Sequence, residues 1–380
     1  MLAEAGQPAP LDGVRVVDLS RLLPGPFCSW LLGSLGAEVL RVEPPNSGDY
    51  TRDMPPVVSG HGVFYAAINR GKRSIALDWR VPEGLDALRR LLHTADVLIE
   101  GFKPGAMRAA GLDPAALRVS HPRLVIASIS GYGQTGAMAK DPGHDLNYLG
   151  LAGIVAADEL GGAPYPVQVA DLAGGALMAA VGINAALFQR ERSGQGSWLD
   201  ISMTEGAMAL MGPHIATALG GDRDLSPGDE LLSGGYAAYR TYRCADGKLI
   251  TMAPLEPKFL AQFCALAGID GAALDAPSLA RLFASRSRDA WVEQLRGVCV
   301  EPALTTRELP EHPLHRSRAA FEPVLGVPMP RSPFPWAASA EVATLGADTA
   351  ALLGGLGLDL SALAASGAIR SEDAGPSPAL

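Results

Sequence analysis

LVIASISGYGQTGAMAKDPGHDLNY, residues 124–148, joins an apolar, β-branched run to a turn with a literal G-x-G-x-x-G at Gly131, Gly133 and Gly136. LVIASIS (124–130) carries no charge and reads as a strand buried on both faces, as in a parallel sheet. The glycines decide which parallel fold this is, because a strand ending in that motif opens a dinucleotide-binding unit. That fingerprint needs its third glycine to start a helix whose N-terminus holds a pyrophosphate. Here Asp141-Pro142-Gly143 follows within a few residues and breaks such a helix. An acid ending a second strand about 20 residues further on is also required. The nearest acids, Asp158 and Glu159, lie instead in a Gly- and Pro-rich loop. The stretch reads as a strand, a flexible turn and an amide-lined pocket wall, not a nicotinamide site.

Outward from this stretch the same alternation repeats. VRVVDLS (14–20), EVLRVE (38–43), SIALDW (74–79) and DVLIEGF (96–102) have strand character, while CSWLLGSLGA (28–37) and PEGLDALRRLLHTA (82–95) have helical spacing. Alternating strands and helices predict a doubly wound α/β fold with a largely parallel, Rossmann-like sheet, whose ligands collect beyond the carboxyl ends of the strands. A long helix is expected from Asp171 to about Arg192, followed by a glycine turn, a strand and a helix in SGQGSWLDISMTEGAMALM (193–211). The polar, Gly-rich stretch 220–235 reads as a linker. YAAYRTYRCADGKLITMAP (236–254) then reads as a hairpin turning at Asp246-Gly247, and EPKFLAQFCALAG as a helix with Pro at its first position. The expected plan is a first large-domain part at 1–219, a linker at 220–235, a small α+β domain at 236–315 and a return segment at 316–380. The last of these ends in a disordered tail, EDAGPSPAL.

Composition excludes some classes. The 380 residues suffice for two domains, and 48% hydrophobic against 19% charged residues suits a large buried core. A formal charge of −9 argues against a nucleic-acid partner, which needs clustered Lys and Arg. Cys28, Cys244, Cys264 and Cys299 form no C-x-x-C pair and read as thiols of a reducing compartment. MLAEAGQPAP lacks the basic and apolar regions of a signal peptide. GGALMAAVGINAALF (174–188) reads as too short to span a bilayer. A soluble, cytoplasmic protein with no membrane partner is expected. His312-Pro-Leu-His315 lacks neighbouring carboxylates or thiols, so no metal is expected.

Three acid–base candidates stand out, each with two readings. His144, beside Asp145 beyond a strand, is either a solvated or capping imidazole or a general acid/base. Asp171 opens a helix, so it is an N-cap, or else a base or nucleophile whose neighbouring amides hold negative charge on a substrate oxygen. Glu256 is a solvated first-turn acid or a site carboxylate. The basic run Asn69-Arg70-Gly71-Lys72-Arg73, with Arg41 at the end of another strand, is either a solvated loop or a phosphate seat.

Taken together, LDGVRVVDLSRLLPGPF, LGAEVLRVE, NRGKRSIALDW, ADVLIEGFKPGAM, GYGQTG and SGQGSWLDISMTEG resemble, in order, the family III CoA-transferases. GHDLNYLGLAG with ADLAGG and LEPKF resembles that family's alpha-methylacyl-CoA racemase branch. The resemblance implies a Rossmann-like large domain formed by both chain ends, an inserted small domain, and an interlocked homodimer with each site between subunits. It implies 1,1-proton transfer at the α-carbon of an acyl-CoA by His144 and Asp171, with Glu256 orienting His144 and Asp145 tuning Asp171. The alternative it leaves is a CoA-transferase with Asp171 as nucleophile. For the CoA thioester it implies contacts from Arg41, Lys72 and Arg73, and from Gly101, Phe102, Lys103 and Arg108. Tyr132, Gly143, Leu146, Asn147 and Tyr148 complete that set, and no cofactor beyond the substrate's CoA is implied. Two departures stand out: Ala109 replaces a family Arg, leaving Arg108 one residue earlier, and Pro44 replaces another, leaving Arg41 as the local cation.

Overall fold

A computed structural model of the chain describes residues 8–157, 166–226, 228, 231–271, 274–336 and 339–374. Its strands are β1 (Arg15–Asp18), β2 (Glu38–Glu43), β3 (Val57–Val58), β4 (His61–Gly62), β5 (Arg73–Ala76), β6 (Val97–Glu100), β7 (Val125–Ser130) and β8 (Trp198–Ser202). They are followed by β9 (Arg240–Arg243), β10 (Leu249–Met252), β11 (Val300–Pro302), β12 (Phe321–Val324) and β13 (Val327–Pro330). Six strands form one parallel sheet in the order β5-β2-β1-β6-β7-β8. The apolar runs fall where periodicity places them, with Val16, Val17, Leu98, Ile99, Ile126 and Ala127 wholly buried. From β1 the order runs to β2 and β5 on one side and to β6, β7 and β8 on the other. The switch point therefore lies between β1 and β6, where α/β sheets open a crevice.

Helices Pro24–Ser34 and Pro82–Leu92 each begin with Pro, whose missing N–H costs nothing at a helix start. Pro82–Leu92 buries Ala87, Leu88, Leu91 and Leu92 against the sheet and leaves Arg89 and Arg90 in solvent. Helix Ala170–Ser193 matches the long helix expected from Asp171 to about Arg192, and it extends past the apolar stretch 174–188 that reads as too short for a bilayer. By length and mean hydropathy it could cross a bilayer. Its apolarity has a local use, because Gly174, Gly175, Ala176, Ala179 and Ile183 are buried, as is Arg190 near its end.

The chain divides into two compact units. One holds Met1–Ala152, Tyr165–Leu210 and Ala320–Leu380, the other Gly153–Pro164 and Met211–Ala319. In the first, the C-terminal segment protects the sheet's edge strand. Asp348 Oδ2 accepts the Ser74 N–H and Thr349 Oγ1 the Ala76 N–H, both at 2.9 Å. In the second, β9 and β10 form the antiparallel hairpin, β11 extends it, and Phe263, Phe283 and Trp291 fill its core. Helix Gly212–Gly220 belongs to this unit, so the second unit begins before the stretch expected as a linker. Asp158, Glu159 and residues 375–380 of the expected tail lie outside the described residues. At the start of that tail, Ser371–Ala374 form a 3-10 turn that takes in Glu372, Asp373 and Ala374, with Asp373 paired to Arg370.

Candidate active site

The carboxyl ends of β1, β6 and β7 feed one cleft of about 740 Å³ in the first unit. β1 delivers Ser20, Arg21, Leu22 and Pro24, β6 delivers Gly101, Phe102 and Lys103, and β7 delivers Ser130, Gly131 and Tyr132. His144, Asn147, Tyr148, Asp171 and Met203 close it.

The glycine motif is a turn. Gly133 and Gly136 take φ of 86° and 96°, and no helix begins before Asp145. Gly131 has a different use: a Cβ there would lie 2.4 Å from the Tyr148 ring. On Gly143 it would lie 2.6 Å from the Tyr132 hydroxyl. The two rings meet edge-to-face at 5.1 Å, and the Tyr148 hydroxyl donates to the Gly143 carbonyl at 2.6 Å. The two glycines thus let two tyrosines pack the cleft wall.

His144 fits both of its readings. It is the N-cap residue of helix Asp145–Leu151, where its backbone N–H donates to Asn147 Oδ1 at 3.0 Å. Its imidazole is exposed and borders the cleft. The sequence showed no helix here, since Pro142-Gly143 precedes it and His is not a preferred cap.

Asp171 is not an N-cap. Val169 takes that position and Asp171 is second in the helix, and among the described residues its carboxylate caps no backbone amide. The cap comes from Asp145, whose Oδ1 accepts the Asp171 N–H at 3.0 Å and which also draws on the Ala170 N–H. This corrects a second expectation, because those amides are spent on a carboxylate and are not free for a substrate oxygen. Burial, then the nearby Asp145 charge, pushes the Asp171 carboxyl up to about 7. Burial also raises Asp145, against the N–H groups it accepts. Tyr148, buried beside both acids, is pushed up to about 12. The cleft wall thus holds a carboxyl raised to about 7, on helix Ala170–Ser193.

Of the expected cations, Lys103 lines the cleft and is exposed. Arg108 lines an adjoining hollow with Lys103 and Lys140, and pairs with Asp113 at 3.1 Å. Leu146 is exposed on its helix, outside the cleft lining. Three cations are corrected. Arg41 is 1% exposed and bound to Asp18 at 3.0 Å and Asp49 at 2.7 Å. Lys72 donates to the Pro26 carbonyl and Asn69 Oδ1, both at 2.8 Å, and lies 3.5 Å from Asp18. Burial pushes its ammonium down to about 7 against the pull of Asp18. Burial alone would raise Asp18, yet Arg41 and Lys72 hold it well below the usual carboxylate range. Arg73 is tied to Glu38 and Asp348, both at 2.9 Å. The charges of Arg41 and Lys72 are thus spent inside the protein, while Arg73 lies outside the lining of both the cleft and the adjoining hollow.

Glu256 precedes helix Pro257–Ala267 in the second unit, where its side chain caps nothing. Sequence reasoning missed Arg21, Tyr50 and Met203 in the cleft and Lys140 beside it. The LLPGPF turn was legible, but its place opposite Gly101 follows from the pairing of β1 with β6, which no local pattern reveals.

The chain is similar to known proteins in sequence and in fold. The profile of CoA-transferase family III matches residues 11–349. Alpha-methylacyl-CoA racemase of Mus musculus is 38% identical over 327 residues, 82% of each chain. Succinate–glutarate CoA-transferase of Agrobacterium fabrum is 41% identical over 212 residues, 53% of each chain. The crystal structure of a CAIB/BAIF family protein from Brucella suis superposes with a TM-score of 0.81 at 30% identity, over 92% of this chain and all of that one.

Proposed function

From a chain that belongs to CoA-transferase family III, we propose a racemase that inverts the α-carbon of a 2-methylacyl- or 2-arylpropionyl-CoA thioester. One observation carries this reading. His144 and Asp171 reach a single cleft from different elements, and the Asp171 carboxyl is pushed up to about 7. A group that must take a proton in one direction and give it back in the other works best with its pKa near the working pH. A carboxylate nucleophile needs only to be ionised, and an acyl-transfer route has no task for a second acid–base group such as His144.

The thioester carbonyl acidifies the α-hydrogen. With substrate of one hand, Asp171 removes the proton as base, leaving a planar enolate, and His144 protonates the other face. With the opposite hand the two exchange roles. Asp145 keeps Asp171 protonatable by its charge and holds it by accepting its N–H. Lys103 and Arg21 at the cleft, with Arg108 and Lys140 beside it, supply local positive charge for CoA phosphates in a chain of net charge −9.

Glu256, in the second unit, orients His144 once two chains have assembled. Helix Ala170–Ser193 supports such assembly by exposing Leu177, Val181 and Phe188, which share one face at 44%, 67% and 61% exposure. Light scattering should give a homodimer, and Val181→Asp with Phe188→Asp should give an inactive monomer; an active monomer counts against assembly.

Tyrosine packing supplies a further check. Gly143→Ala drives a Cβ into both rings and is expected to lower kcat/KM for acyl-CoA at least about tenfold. Gly150→Ala, on the helix Asp145–Leu151 that follows and with open space around it, should leave turnover unchanged and raise the thermal midpoint slightly.

The rival reaction is a CoA transfer through an Asp171 anhydride and then an Asp171–CoA thioester. Incubation with acyl-CoA and a free carboxylic acid, followed by mass spectrometry, should leave Asp171 unmodified. An adduct on Asp171, or inactivation by hydroxylamine during turnover, would establish the transferase instead.

A further inference from the structure

The helix that carries Asp171 does not begin as an α-helix. Ala170–Leu177 are wound in π turns, and only Met178–Ser193 are α-helical. A π segment holds an extra residue in each turn and is rare in proteins, so a contact outside the helix has to hold it open. Its buried glycine face makes that contact. Helix Met203–Leu210 lies so near that a Cβ on Gly206 would fall 2.0 Å from the Gly174 carbonyl oxygen. A Cβ on Gly174 would fall 2.6 Å from the Met203 carbonyl oxygen and 2.7 Å from the Ala207 nitrogen. All three are backbone atoms and cannot swing aside. A Cβ on Gly175, by contrast, would meet the flexible Met203 side chain at 2.8 Å.

We propose that Gly174 and Gly206 are positioning residues: their backbone-on-backbone contact holds the helix start in its π form, and that form aims Asp171 into the cleft. An α-helix advances about 100° per residue, so expelling one residue from the π segment turns everything before it by that angle. Asp171, second in the segment, would swing away from the cleft and from Asp145. The inference rests on Asp171 acting as a proton-transfer group, and the test separates the two claims.

Gly206→Ala is expected to lower the kcat of α-hydrogen exchange about 100-fold, with KM for acyl-CoA altered less than threefold. The acid limb of its pH profile should move from about 7 toward the ordinary carboxylate range. Asp145 and Tyr148 on helix Asp145–Leu151 face Asp171 electrostatically. His144 borders the same cleft. Helix Met203–Leu210 carries one titratable group, the exposed Glu205, and helix Pro24–Ser34 carries one, Cys28. Gly175→Ala should stay within about threefold of the parent. Deletion of Ala173 removes the extra residue and lets the start close as an α-helix with Asp171 still in phase with the cleft, so it should match or exceed the parent in thermal midpoint and keep exchange.

A folded Gly206→Ala protein with unchanged kcat and acid limb overturns the inference, as does a folded deletion variant that has lost exchange. A deletion variant that fails to fold also counts against it, since the α form should be no less stable. If the parent itself shows no exchange, the proposed reaction fails, and NMR titration of the Asp171 carboxyl still decides the positioning claim. It should titrate lower in Gly206→Ala, and an unchanged titration overturns the claim.

Discussion

Asp171→Asn should slow α-hydrogen exchange about 10³-fold while still binding acyl-CoA, because an amide fills the same space but cannot take a proton. His144→Ala should be comparably slow, since inversion needs a group on each face. The two variants should differ in stability. The Asp171 carboxyl is held at about 7, against an ordinary 3.8, chiefly by burial and then by Asp145. A raised folded-state value means the native protein binds this proton more tightly than the unfolded chain does. Native stability therefore falls as pH rises from about 4 to about 7 and stays lowered above that. Asparagine has no charge to desolvate, so Asp171→Asn should raise the thermal midpoint at pH 8 and leave it unchanged near pH 4. His144, exposed at a helix cap, should show no such gain. A variant that lost activity by misfolding would lower the midpoint, so thermal unfolding at the two pH values separates the explanations.

Arg41→Met should cost about 3–5 kcal/mol of folding stability without contact with substrate. Arg41 and its partners Asp18 and Asp49 are almost wholly buried, with their charged atoms 2.7–3.0 Å apart. Methionine fills the space but leaves two carboxylates facing an apolar neighbour, with Lys72 3.5 Å from one of them. Removing one member of a buried set is costly because the others stay behind as uncompensated charge. Urea unfolding measures the loss. Had Arg41 been a phosphate ligand, the same substitution would weaken acyl-CoA binding and leave the unfolding midpoint unchanged.

Arg41 also shows where sequence reasoning stops. Its strand was legible, because EVLRVE sets Val39, Leu40 and Val42 in a short β-branched, apolar run. What the arginine does was not legible. Asp18 lies 23 residues away in the chain, yet parallel pairing sets it directly beside Arg41. A charge at a strand's end looks the same whether it meets a ligand or an internal acid. Asp171 teaches a similar lesson. Local rules put an acid at a helix start in the cap position, but the cap is Asp145, 26 residues earlier. The π form of Ala170–Leu177 was hidden for the same reason, since it depends on a helix that comes later in the chain. Fold class, strand positions and the pairing of His144 with Asp171 in one cleft were readable because each rests on short-range pattern or on a resemblance spanning most of the first 200 residues. Charge partners and caps were not, because they are set by tertiary neighbours.

The central claim is proton transfer at the α-carbon, and the most direct measurement is incorporation of solvent deuterium into 2-methylacyl-CoA by the unmodified protein. Starting from either enantiomer in deuterated water near pH 8, the account predicts one deuterium at the α-carbon and an equal mixture of the two hands. Acyl-CoA recovered with its α-hydrogen and its configuration intact would contradict it.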